Sequence, residues 1–130
     1  MGIDFSHCNA HWSYSGFGQY RRRIWNQCGF SDDLYFLYKE DVWLEQISVD
    51  HPLYDFFDHS DCDGELTPEQ LKKIEPILRE KTLELFNKPV NELAKGLLLT
   101  QFDDYDITMG LELCNGMLNA ISKNENLEFK

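Results

Sequence analysis

A chain of 130 residues is long enough to bury a core without disulfide or metal staples. Its 42% hydrophobic and 14% aromatic content exclude a disordered chain, and a net charge of −11 argues against nucleic acid and anionic membranes as partners. The charge is uneven: residues 1–30 sum to +2, with Arg21, Arg22 and Arg23 set against Asp4, while the remainder sums to −13. An acidic body of this kind suits a cation or a basic protein surface. Cys8, Cys28, Cys62 and Cys114 form no C-x-x-C pair, which excludes a zinc ribbon or a thioredoxin-like motif. No early apolar run reads as a signal peptide, and Leu97-Leu98-Leu99 is too short to span a bilayer. A cytoplasmic setting with reduced cysteines is therefore expected.

The first candidate chemistry in chain order is His7, Cys8 and His11, three donors suited to Zn²⁺. The competing reading is ordinary polar residues, with Asn9 or Ser13 free to cap a helix. Next comes an expected helix from Ser15 or Gly16 to Cys28, with Phe17, Tyr20, Ile24 and Cys28 spaced by three and four. Gly29 supplies its left-handed stop. Trp12, Tyr14, Phe17, Arg21, Arg22 and Arg23 gather aromatics beside guanidinium groups, the composition of a partner-binding anchor. The alternative is a core helix whose arginines pair with the acidic body, and three consecutive arginines cannot share one helix face.

A second helix is expected from Ser31, burying Leu34, Leu37, Leu44 and Ile47, with Pro52 closing the region. Leu53-Tyr54-Asp55-Phe56-Phe57 forms a short apolar turn. The third helix has the clearest start: Thr67 as cap, Pro68 at the first helical position and Gln70 completing a capping box. Leu71, Ile74, Leu78 and Leu85 follow, and Pro76 predicts a kink or a break. Asn87-Lys88-Pro89 opens a further helix with Leu93, Leu97 and Leu98 inside. Asp103-Asp104-Tyr105-Asp106 is expected to separate it from a last helix burying Ile107, Leu111, Cys114, Leu118 and Ile121. The tail Asn126-Leu127-Glu128-Phe129 suits a short strand. The expected fold is mostly α: one domain of about five helices with a minor strand pairing.

Between the apolar turn and the third helix, acidic residues alternate and then stop at Gly64. The segment Asp61-Cys62-Asp63-Gly64-Glu65-Leu66-Thr67 resembles the middle of an EF-hand loop, over about a tenth of the chain. The resemblance implies Ca²⁺ as the ion, with Asp61 and Asp63 as carboxylate ligands and Glu65 offering its backbone carbonyl. Thr67 takes the ninth position and Gln70 the twelfth. His59 stands where the first acid belongs, and Gln70 where a bidentate Glu belongs; Asp58 or Glu69 would substitute only in a rearranged loop. The resemblance implies affinity in the ~10⁻⁴–10⁻³ M class. A capped turn explains Thr67 and Gln70 equally well. Trp12–Phe17 and His59–Leu66 also resemble segments of small bacterial and phage proteins, a resemblance that implies such an origin and carries no activity with it.

The leading expectation is a small acidic, non-enzymatic binding or regulatory protein that acts through protein contacts, such as a bacterial or phage accessory factor. The alternatives are a metal-dependent hydrolase holding its ion with His59, Asp61 and Asp63, with His7 or His11 contributing a ligand or a base, and a weak calcium module.

Overall fold

The computed structural model describes residues 2–30, 47–58, 64–85 and 99–130, the last stretch with side chains from 105 onward. The elements run β1 (Gly2–Asp4), β2 (His11–Ser13), α1 (Tyr14–Gln27), α2 (Tyr54–Asp58), β3 (Gly64–Leu66), α3 (Pro68–Glu84), α4 (Leu99–Lys123) and β4 (Leu127–Phe129). The protein is mostly α, with two short antiparallel strand pairs. The expected helices at Ser31 and at Asn87-Lys88-Pro89 lie outside the described residues, as do His59, Asp61 and Asp63.

Local chemistry sets the helix ends. Ser13 caps α1, its hydroxyl accepting from the Gly16 amide at 3.0 Å, and Gly29 leaves the helix at φ 89°. Phe17, Tyr20 and Ile24 are buried at the expected spacing. α3 carries the full capping box: the Gln70 amide donates to Thr67 Oγ1 at 3.3 Å, and the Thr67 amide donates to Gln70 Oε1 at 2.9 Å.

α3 does not break at Pro76 but runs unbroken from Pro68 to Glu84. An interior proline costs about 3 kcal/mol. Leu71, Ile74 and Leu78 of the same helix are fully buried, and each burial is worth about 1.5–3 kcal/mol. Core packing outweighs the lost hydrogen bond.

α4 corrects two expectations. Asp103-Asp104-Tyr105-Asp106 is no separator but lies within the helix. Of the expected stripe, Ile107 and Cys114 are buried and Leu111 and Ile121 partly so, but Leu118 is 45% exposed, and Gly110, Leu113, Gly116, Met117 and Ala120 complete the buried face. Small residues recur on this face because α1, α3 and the N-terminal turn approach it closely, Tyr20 and Thr82 at Gly110 and Cys8 at Gly116.

The two strand pairs are joined. β1 pairs with β2 (Ile3 opposite Trp12), and β3 pairs with β4 (Leu66 opposite Leu127). A bridge between Phe5 and Phe129 links them, held by Ser6 N–H to Glu128 O at 3.0 Å and Lys130 N–H to Asp4 O at 2.8 Å. The strands thus lie in the order β2–β1–β4–β3. Period-two alternation sends Ile3, Phe5, Trp12, Leu66, Leu127 and Phe129 inward. Asp4, His11, Glu65 and Glu128 face solvent.

The inward rings meet those of the helices. Trp12 stacks on Tyr20 at 4.8 Å, Phe5 meets Phe129 edge-on at 4.8 Å, and Phe17 meets Phe56 edge-on at 6.1 Å. Leu53, Phe56 and Phe57 of the short apolar turn close this cluster from α2. Among the described residues, no helix is long and apolar enough to cross a membrane.

Candidate functional site

The residues expected to anchor a partner are largely spent on the core. Trp12, Phe17 and Arg21 are buried, at 1%, 0% and 4% exposure. Arg21 donates to the Phe56 carbonyl at 3.3 Å and lies 4.8 Å over the Phe17 ring. Arg23 pairs with Asp106 at 3.0 Å, and the other Asp106 oxygen accepts from Trp12 Nε1 at 3.1 Å. Arg23 thus binds a carboxylate, and Trp12, Phe17 and Arg21 belong to the core, as the alternative reading of this segment expects. Tyr14 and Arg22 are half-buried beside it.

The N-terminal donors are drawn to separate carboxylates. His7 Nε2 lies 2.9 Å from Glu125 Oε1, and His11 Nδ1 lies 2.8 Å from Asp4 Oδ1. Cys8 packs against Gly116, and burial raises its thiol pKa. Among the described residues, no group of three or more His, Cys, Asp or Glu side chains is placed to hold an ion. His59, which the hydrolase reading requires beside these histidines, lies outside them.

Only the exit of the acidic loop is described. Asp58 is the exposed last residue of α2. Gly64 has φ 107°, a conformation open to glycine and strained for other residues. Glu65 then enters β3, Leu66 is buried, and Thr67 caps α3. The loop frame and the cap thus coincide in one segment. Thr67 Oγ1 and Gln70 Oε1, the side-chain oxygens expected at the ninth and twelfth positions, are both engaged in the capping box.

Among the described residues, the solvent face of the strand layer gathers three carboxylates. Glu65 and Glu128 stand directly opposite each other on β3 and β4, and Asp4 projects from β1 on the same side. Like charges in direct cross-strand register are destabilising, by a fraction of a kcal/mol up to about 1 kcal/mol. Glu125 lies exposed at the rim, and a hydrogen bond from His7 holds its carboxyl below the usual range.

Sequence reasoning missed the contact chain that begins at Ser6. The Glu128 amide donates to Ser6 Oγ at 2.8 Å, Ser6 Oγ lies 2.7 Å from His7 Nδ1, and His7 Nε2 reaches Glu125. The adjacent Ser-His pair is legible in the sequence; Glu125, 118 positions away, is not. Comparison with protein families, curated proteins and solved structures finds no match for this chain.

Proposed function

We propose that this chain is a small acidic binding protein that engages a basic protein surface through the solvent face of its strand layer. The observation that carries this reading is the Glu65–Glu128 cross-strand pair, flanked by Asp4 on one exposed face. A cationic partner would meet three carboxylates gathered on one exposed face, the electrostatic complementarity that steers and fixes such a contact. Free thiols at Cys8, Cys28 and Cys114 suit the reducing cytoplasm as its setting.

The test compares two charge reversals of equal size. Glu65→Lys with Glu128→Lys should weaken binding of a fluorescent lysine-rich peptide at least tenfold at low salt. Asp50→Lys with Glu80→Lys, exposed acids elsewhere, should leave it within about twofold, after allowing for net charge. Equal losses from both pairs would reduce the effect to overall charge and reject the face.

A calcium module is the second reading, favoured by the glycine turn at Gly64 running straight into β3 and a capped helix. Millimolar Ca²⁺, about one to ten times a dissociation constant of ~10⁻⁴–10⁻³ M, should then raise the melting temperature, by about 0.4–1.4 kcal/mol of stabilisation. Asp61→Asn with Asp63→Asn should abolish the rise. An unchanged melting curve in millimolar Ca²⁺ leaves the loop as a capped turn.

A further inference from the structure

The chain Glu128–Ser6–His7–Glu125 has a direction that comes from donor chemistry. A carboxylate only accepts, so His7 Nε2 must carry a proton towards Glu125 Oε1, 2.9 Å away. In the neutral ring, Nδ1 is then an acceptor, and the Ser6 hydroxyl 2.7 Å away donates to it. Ser6 Oγ itself accepts from the Glu128 amide at 2.8 Å. A hydroxyl that gives its proton to an imidazole while accepting from an amide is polarised towards alkoxide, because the amide favours the charged form.

His7 is also held in an unusual backbone conformation. Its φ is 69°, in the left-handed region that non-glycine residues seldom occupy. Its carbonyl accepts from Asn119 Nδ2 at 3.2 Å, which ties the turn to α4. Glu125 is set by the end of the same helix: Asn124 turns at φ 55°, and the Glu125 amide donates to the Ala120 carbonyl at 2.9 Å. The left-handed His7 and the helix-end turn at Asn124, far apart in sequence, thus bring one imidazole and one carboxylate together beside a serine. Backbone strain of this kind is retained where the surroundings over-determine it, commonly at functional sites.

The geometry points to an acyl-transfer site in which Ser6 is the nucleophile, His7 the general base and Glu125 a positioning residue, acting on small uncharged carboxylic esters. Ser6 Oγ attacks the ester carbonyl carbon while His7 Nδ1 takes the hydroxyl proton. The tetrahedral adduct collapses, the C–O bond to the alcohol breaks, and the proton on Nδ1 passes to the departing alkoxide. Water then attacks the acyl-Ser6 ester, giving its proton to Nδ1. Collapse returns that proton to Ser6 Oγ and releases the carboxylic acid. The net change is ester plus water to acid plus alcohol, with no other reactant. Glu125 and Glu128 border the site, so anionic esters are repelled and neutral ones favoured. This activity goes beyond the binding reading and does not depend on it.

The first experiment uses the unaltered protein and a fluorophosphonate probe, followed by mass spectrometry of the labelled peptide. Label is expected on Ser6 and absent from urea-unfolded protein; no label, or label elsewhere, overturns the site. The second measures hydrolysis of 4-nitrophenyl acetate. His7→Gln is expected to lower the rate by roughly a hundredfold or more, the scale of general-base assistance. His11→Gln, at the other histidine of this hairpin, is expected to leave it unchanged. Glu125→Gln should slow the reaction and displace the acid limb of its pH profile, and Glu125→Asp should restore part of the rate. Equal losses from His7→Gln and His11→Gln would mean surface imidazole chemistry and reject the relay.

Discussion

Replacing Asp106 with alanine should lower the free energy of unfolding by about 3–5 kcal/mol, the cost of removing one partner of a buried ion pair. Asp106 is 8% exposed and serves two donors on different elements: Trp12 Nε1 from β2 at 3.1 Å and Arg23 from α1 at 3.0 Å. Alanine would take this carboxylate from the guanidinium and this acceptor from the indole N–H. Each loss is expensive where water is scarce. Since whole domains are stable by only about 5–15 kcal/mol, the variant should lie near its unfolding midpoint at modest urea. Asp106→Asn separates the two contributions. Its carbonyl still accepts from Trp12, but its amide presents donors to Arg23, so an intermediate loss of about 2 kcal/mol is expected. Urea unfolding followed by tryptophan fluorescence measures both. A loss below about 1 kcal/mol for alanine would mean that the Asp106 contacts contribute little net stability.

The Asp106 contacts also mark the limit of what a short window of sequence can hold. Thr67, Pro68 and Gln70 announce α3 because a capping box is written within four consecutive residues. Ser13, Gly29 and the spacing of Phe17, Tyr20 and Ile24 do the same for α1. The tail strand at Leu127–Phe129 is legible from its alternation. β1 and β2 are not, because what fixes them lies outside their own segments. They are held by residues remote in sequence: Phe5 by Phe129, and Trp12 by Asp106. Asp106 itself reads as part of a polar separator. Its place inside α4 depends on donors 83 and 94 positions away, which no local window contains.

The candidate sites divide along the same line. Thr67 and Gln70 are legible as a helix cap because a cap is local, and both side chains are engaged in it. Trp12, Phe17 and Arg21 have the composition of a surface anchor, which is also that of an aromatic core. Only the rings of Phe5, Phe56 and Phe129, which arrive from other segments, decide between the two.

The close approach of α1 and α3 to α4 can be tested directly. A Cβ on Gly110 would lie 2.6 Å from the Tyr20 hydroxyl oxygen, 2.7 Å from Thr82 Cγ2 and 3.0 Å from Tyr20 Cε1. Tyr20 cannot easily yield. It is fully buried, stacked on Trp12, and hydrogen-bonded to Thr82 Oγ1 at 2.6 Å. Burial pushes its phenol well above the ordinary range, so it stays protonated and keeps its donor. In an open helix, Gly→Ala stabilises by about 0.8–1.0 kcal/mol. At Gly110 the sign should reverse: overpacking costs about 1–3 kcal/mol, and displacing Tyr20 forfeits a hydrogen bond worth about 1 kcal/mol. Gly110→Ala should therefore destabilise by about 2 kcal/mol. Thr82→Ser removes the Cγ2 contact while keeping the hydroxyl for Tyr20. The double variant should recover about 1 kcal/mol relative to the sum of the two single changes. Additive losses would place the strain elsewhere, and an unchanged or raised midpoint for Gly110→Ala would show that α1 and α3 do not press on α4 at this glycine.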